Sequence, residues 1–319
     1  MFRSIASRLA RRPPREYKKK LSVIVVCYKM YAQIGNTIQS LIPPYQRGLK
    51  FSDYEILLVD NGSPKPLPDE LQKASKNLRY IYIPPGEACP NPGVAINRAV
   101  KMSKGAIVCL MIDGARMVTP AALSWGMRLV NLVPRAIAEV RGWHLGPKIQ
   151  PESIKEGYCP EIERELLVQS RWWENGYNLF DICAPSEQTR KGFSGPTAES
   201  NCIFMERELF DELNGMEEAF SAPGGGLVNL DFFERAVKLA SKVFTVLGEG
   251  TFHQVHGGAA TGKVQEELDK AFAVWAAEAA KIRGRPIGPV DHQQFVVAGH
   301  LPEPCLRWLL KNGCSSVTG

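Results

Sequence analysis

Apolar positions recur along this chain with two different periods. Leu21–Cys27 (LSVIVVC) is a continuous, β-branched run, which predicts a strand buried on both faces. Ile34, Ile38 and Leu41 then repeat at helical spacing until Pro43-Pro44 ends the helix. Tyr54–Val59 (YEILLV) predicts a second buried strand, followed by the turn Asp60-Asn61-Gly62-Ser63-Pro64. Leu78–Ile83 predicts a third strand, Val94–Ser103 a helix and Ala106–Ile112 (AIVCLMI) a fourth strand. Thr119 reads as the cap of a helix that opens on Pro120 and turns Leu123, Met127 and Val130 inward. This alternation predicts an α/β fold, a mostly parallel central sheet with helices on both faces.

Past residue 140 the rhythm breaks. Residues 141–200 mix aromatics, prolines and glycines and read as loops and short strands over the sheet edge. Glu206–Leu213 reads as a short helix ended by Asn214-Gly215. Pro223-Gly224-Gly225-Gly226 is a flexible loop before a helix from Leu230 to Ser241, and Lys242–Leu247 is strand-like. Lys263–Ile282 is amphipathic, with Val264, Leu268, Phe272, Trp275 and Ala279 on one side and Gly284 past its end. There is no internal repeat and no low-complexity linker. The chain therefore divides into a basic tail, 1–20, a domain spanning 21–262, and a C-terminal helix and extension, 263–319, packed on it.

Charge changes this picture only at the N-terminus. The chain of 319 residues carries a formal net charge of +6. The tail holds Arg3, Arg8, Arg11, Arg12, Arg15, Lys18, Lys19 and Lys20 against the single acid Glu16. The body is thus close to neutral, which argues against a nucleic-acid partner. Phe2, Ile5 and Leu9 fall near one helical face among the arginines, so the tail reads either as a solvated arm or as a peripheral contact with an anionic membrane. No apolar run approaches the roughly 18 residues of a transmembrane helix. The eight cysteines form no CxxC pair, and Cys27 and Cys109 sit inside apolar runs, as reduced core thiols of a cytoplasmic protein would.

In an open α/β sheet, ligands bind beyond the carboxyl ends of the strands. Strand one delivers Cys27-Tyr28-Lys29 there, strand two Asp60-Asn61 and strand four Asp113-Gly114. Carboxylates at such ends suit sugar hydroxyls, a base edge or a divalent cation, or else serve as turn residues. No GxGxxG follows strand one and no GxxxxGK[ST] occurs, so a dinucleotide site and a P-loop are both unsupported. His253 and His256, in TFHQVHGG, stand three apart beside Gly257-Gly258, which allows close backbone approach. Trp143-His144, Trp172-Trp173 and Tyr177 offer aromatic surface for sugar faces, or core.

Taken in order, these pieces resemble the family 2 glycosyltransferases of the GT-A fold, over roughly residues 20–260. LSVIVVCYKM is similar to the opening strand and donor loop, and YEILLVDNGSP to the second strand, whose Asp contacts the nucleoside. NPGVAINRAVKMSKGAIVCLMIDGA is similar to the stretch leading into the metal motif, and SNCIFMERELFDELNGMEEAF to the acceptor-side stretch before the catalytic acid. IDGAR, AESN, PGGGLVNLD and GTFHQVHGG together resemble a bacterial subgroup.

The resemblance implies a Rossmann-like nucleotide-binding half plus an acceptor half. It also implies an inverting hexosyltransferase-type enzyme (EC 2.4) of cell-envelope polysaccharide chemistry. Its donor would be a nucleotide-diphosphate sugar, with UDP-sugar favoured, and its acceptor a glycan, a lipid-linked molecule or a small molecule. Tyr28, Asp60 and the segment from Gly93 to Asn97 would hold the nucleotide. Asp113, with His253 or His256, would hold Mn²⁺ or Mg²⁺. Two positions depart from the family. Ala115 stands where the metal motif carries its second acid, and Asn229 where the catalytic base is usual. Asn cannot take a proton, so Asp231, at the start of its helix, or Glu199, in AESN, is the expected base. The rival readings are a GT-A protein that binds sugar nucleotide or glycan with impaired catalysis, and a nucleotidyltransferase. The latter should carry a glycine- and lysine-rich loop after strand one, which Cys27-Tyr28-Lys29-Met30 lacks.

Overall fold

The computed structural model describes residues 17–186, 189–195, 197–256 and 265–309, with side chains from 269 onward in the last segment. The tail through Glu16, Gly257-Gly258, Val264 and Cys314 lie outside the described residues, as does the side chain of Leu268.

Ten strands form one sheet: β1 (Lys19–Cys27), β2 (Tyr54–Asn61), β3 (Leu78–Ile83), β4 (Gly105–Met111), β5 (Arg116–Val118), β6 (Ala136–Leu145), β7 (Cys183–Pro185), β8 (Cys202–Glu206), β9 (Lys242–His253) and β10 (Phe295–Gly299). The helices are α1 (Ile34–Leu41), α2 (Asp69–Gln72), α3 (Pro92–Met102), α4 (Ala122–Val130), α5 (Gln150–Lys155), α6 (Pro160–Ser170), α7 (Arg207–Glu212), α8 (Val228–Leu239) and α9 (Gln265–Arg283). The strand order is β10-β9-β6-β8-β4-β1-β2-β3, with β5 added to β9 and β7 to β6. Along the main path only β8 runs against its neighbours; the other pairings are parallel.

The continuous apolar runs are continuous because both faces are covered. Ile24 and Val26 of β1 enter a core with Ile96 and Val100 of α3, Phe210 of α7 and Phe232 and Phe233 of α8. Val23 and Val25 enter the opposite core with Ile34, Ile38 and Leu41 of α1 and Leu123 and Leu129 of α4. A third core gathers Met117, Trp143, Tyr177, Phe180, Phe193, Phe252, Cys305 and Trp308.

Four expectations change. Residues 141–145 do not lie in loops over the sheet edge but complete β6, in the interior of the sheet between β9 and β8. Its apolar run was interrupted by Glu139 and Arg141, which pair with each other at 3.1 Å, almost completely buried. Thr245 donates to Glu139, and Arg141 donates to the Gly195 carbonyl at 2.6 Å. Strand β9 does not stop at Leu247. Gly248, at φ +79°, lets the chain shift register, and the strand then continues to His253. Thr119 does not cap α4, which starts at Ala122; its hydroxyl donates to Glu249 instead. Finally, the C-terminal extension is more than a cover, since β10 pairs with β9 and Cys305 and Trp308 are buried in the third core.

The seven described cysteines are free, with Cys27 and Cys109 buried. No described helix is long and apolar enough to cross a membrane.

Candidate active site

Strands β4, β1 and β2 are neighbours, and their register sets the first part of the site. Cys27 lies opposite Asp60, and Val25 opposite Met111, so Asp60 and Asp113 leave the sheet on either side of Cys27. Two strand spacings put them about 10 Å apart along one edge. Burial, then the charges of Asp60 and Asp113, push the Cys27 thiol well up, so it is no nucleophile. Asp60 is buried and accepts the Tyr80 hydroxyl at 2.9 Å and the Ser63 amide at 3.2 Å. Tyr28 is half exposed beside it, with the Lys29 ammonium 5.0 Å from its ring centre.

Gly93 and Asn97, on α3, are used by the protein's own packing. The Asn97 amide donates to the Met216 carbonyl and the Glu218 carboxylate and accepts the Met216 N–H. A Cβ on Gly93 would lie 3.0 Å from that of Met216. The Asn97 side chain therefore ties α3 to residues 214–218 and is not available to a nucleotide, which corrects its expected role.

Asp113, His253 and His256 converge. Asp113 follows β4, while β9 carries His253 in register with Arg116 of β5, only three residues beyond Asp113. The three ligand atoms lie within 4.8 Å of one another. His253 Nε2 is 2.6 Å from Asp113 Oδ2, and His256 Nε2 is 3.0 Å from His253 Nε2 and 3.7 Å from the same carboxylate oxygen.

Gln150, buried at the start of α5, fixes the tautomer of His253. Its Nε2 donates to the His253 carbonyl at 3.1 Å, so its Oε1 faces His253 Nδ1 at 2.6 Å and that nitrogen carries the proton. The Gln150 backbone N–H also donates to His144 Nδ1, at 2.9 Å. His253 Nε2 thus faces Asp113 and His256. Burial lowers the pKa of His253, and Arg116 and His256 add to this against the pull of Asp113. Burial opposes ionisation of Asp113, yet His253, His256 and Arg116 outweigh it and hold the carboxyl well below its usual range. One carboxylate and two imidazole nitrogens this close together form a donor set that fits a Mn²⁺- or Mg²⁺-like cation, with Mn²⁺ the better match to nitrogen ligands.

The two candidate bases separate cleanly. Asp231, in the first turn of α8, is fully buried. Arg235 Nε bonds one of its oxygens at 2.9 Å, and Arg283 of α9 holds both. It is a structural carboxylate that docks α9 onto α8, which corrects its expected catalytic role. Glu199 is half-buried in the loop before β8, and its Oε2 accepts the amide of Asn229 at 2.8 Å. A carboxylate therefore stands next to position 229, where the sequence itself has only an amide.

Sequence reasoning missed Arg116, His144, Gln150 and Glu163. Arg116 is buried, with its Nε 3.8 Å from the Asp113 carboxylate. The His144 ring centre is 5.6 Å from that of His253, and burial, aided by His253 and Arg116, lowers its pKa to about 3. Glu163 of α6 accepts the Val255 N–H at 2.8 Å, bracing the segment that carries His256. Only polar residues interrupting an apolar strand could have signalled Arg116 and His144; Gln150 and Glu163 look like ordinary helix residues. Trp143, Trp172 and Tyr177 are buried, and Tyr177 donates to Glu249, so the core reading holds for them, while Trp173 is partly exposed.

Residues 22–113, which include both strand-end aspartates, match the protein family described as Glycosyl transferase family 2. The fold extends the likeness to the rest of the chain. The structure of S. aureus TarS 1-349 in complex with UDP-GlcNAc superposes with a TM-score of 0.51 at 16% identity, over 82% of this chain and 66% of that one. GalNAc-T7 with UDP, GalNAc and Mn²⁺ superposes with a TM-score of 0.52 at 14% identity, over 88% of this chain and 53% of that one. Both are GT-A glycosyltransferases, and the fold of this chain is GT-A. The chain spans less than two thirds of the length of either structure. No curated protein matches it by sequence.

Proposed function

We propose that this protein is an inverting glycosyltransferase that moves a sugar from a nucleotide-diphosphate sugar, a UDP-sugar, to an acceptor hydroxyl. The observation that carries the proposal is the convergence of Asp113, His253 and His256 at the strand ends, beside Asp60. The UDP-GlcNAc bound to TarS and the UDP and Mn²⁺ bound to GalNAc-T7 support the same donor chemistry.

Asp60 and the exposed ring of Tyr28 form the nucleoside side of the site. Asp113, His253 and His256 would hold the divalent cation. When bound, that cation offsets negative charge on the diphosphate. Glu199 is the base. It takes the proton from the acceptor hydroxyl as that oxygen bonds to the sugar carbon, while the bond from carbon to the diphosphate oxygen breaks and its electron pair leaves with the nucleoside diphosphate. Asn229 holds the Glu199 carboxylate in place. The basic tail fits a peripheral contact at the cytoplasmic face of an anionic membrane, suited to a glycan or lipid-linked acceptor.

Turnover of a panel of nucleotide sugars with Mn²⁺, wild type against Asp113→Asn, tests the reading. Wild type should release nucleoside diphosphate, and Asp113→Asn should need about a hundredfold more Mn²⁺ or lose turnover. Equal metal response in both proteins would remove Asp113 from the site.

A further inference from the structure

Arg116 is the least satisfied charged group in the site. Its residue is 9% exposed, so the guanidinium has given up most of its water. Five N–H donors in a rigid fork normally find partners when buried. Among the described residues Nε has no hydrogen-bond partner, and the carboxylate oxygen it pairs with, on Asp113, is 3.8 Å away, beyond hydrogen-bond distance. A buried donor left without a hydrogen-bond partner is costly, so a ligand that takes this N–H is the physical expectation.

Its surroundings say what kind of ligand it awaits. Arg116 lies opposite His253 in the β5–β9 ladder, and Gly142 occupies the next strand over. A Cβ at Gly142 would come 3.4 Å from Arg116 Nη1, so the absence of a side chain there leaves the fork its place. Burial lowers the pKa of Arg116, while Asp113 and Glu199 favour its charged form. A planar fork with free N–H groups is matched by phosphate oxygens.

We propose that Arg116 is a diphosphate-binding residue, taking oxygens of the phosphate nearest the transferred sugar and doing so without a cation as well as with one. The inference rests on the donor chemistry proposed above. In chemical terms a guanidinium one residue after Ala115 supplies fixed positive charge where the metal motif lacks its second acid.

Calorimetry on the full chain in EDTA tests it, with UDP, UMP and inorganic diphosphate as probes and wild type compared with Arg116→Gln and Arg116→Lys. Wild type should bind UDP more tightly than UMP. Arg116→Gln should weaken UDP about tenfold or more, weaken inorganic diphosphate likewise, and leave UMP unchanged. Arg116→Lys keeps the charge and most of the stem. It should fold and shift the UDP-to-UMP ratio in the same direction, by less. An unchanged ratio in every variant that melts as a folded protein overturns the proposal. So does an equal loss of UDP and UMP, because that is what a merely structural arginine would give. A wild type that binds no nucleoside diphosphate, whether of uracil, guanine, cytosine or adenine, sinks the donor reading and this inference with it. Binding by wild type with no effect of the variants sinks Arg116 alone.

Discussion

The two ends of the sheet keep their polar groups in different places. In β1, β2 and β4 the buried interior is almost wholly apolar, and the chemistry waits at the strand ends, in Asp60 and Asp113. In β6 and β9 the polar residues sit inside the strands. Glu139, Arg141, His144, Thr245, Glu249 and His253 all lie within them, each with partners supplied by a neighbouring strand or loop. The first arrangement lets a strand form from its own side chains. The second requires the neighbours to be in place first, because an unpaired polar group in a strand interior costs more than the strand gains. What the second arrangement provides is a rigid frame that carries His253 to Asp113.

The strongest way to break this comparison is at the loop that joins the two ends. Glu199→Gln keeps the shape and the contact with Asn229 but cannot accept a proton. Turnover should fall by about a hundredfold to ten-thousandfold, while Mn²⁺ affinity stays put. Near-normal turnover would show that the base lies elsewhere.

Next in size is the buried pair of β6. Glu139→Leu strands the Arg141 guanidinium among groups that are buried with it, and stability should drop by about 3–5 kcal/mol in urea titrations. The polar interior of β6 would lose its structural meaning if the midpoint hardly moved.

Glu163 sharpens the same contrast through pH. Burial, opposed by the Val255 N–H, the Tyr158 hydroxyl and the charge of His256, raises its pKa to about 7. The folded state therefore holds this proton more tightly than the unfolded chain. The stabilisation is fully present below the ordinary glutamate value near 4.5 and is lost as pH rises through about 7, for a swing of about 3 kcal/mol. Wild type should be less stable at about pH 8 than at about pH 5, and Glu163→Gln should remove most of that difference. A variant with the same pH dependence as wild type would refute the assignment.

The smallest effect belongs to Gln150→Ala. It frees the His253 ring without touching a metal ligand, and Mn²⁺ affinity should fall about tenfold to a hundredfold with the fold intact. The lowered pKa of His253 also means that wild type should keep its nitrogen available somewhat below the ordinary histidine value. Unaltered Mn²⁺ affinity in Gln150→Ala would leave the ring held by packing alone.

The sequence by itself determined the half of the sheet formed by β1, β2, β3 and β4, because its central strands are buried on both faces and a strand of that kind announces itself in its own residues. It also placed Asp60 and Asp113, since a strand's end is read from where its apolar run stops, and it singled out His253, His256 and Glu199. The tertiary structure decided everything that depends on long-range pairing. It put β6 inside the sheet despite Glu139 and Arg141, turned Asp231 into a docking carboxylate by bringing Arg283 to it, and used up the side chain of Asn97 at residues 214–218. It also set Glu199 beside Asn229 and Gln150 behind His253. A polar side chain in a one-dimensional pattern carries no mark of its partner. Its role is settled only when distant segments meet and either satisfy it or, as with Arg116, leave its guanidinium for a ligand.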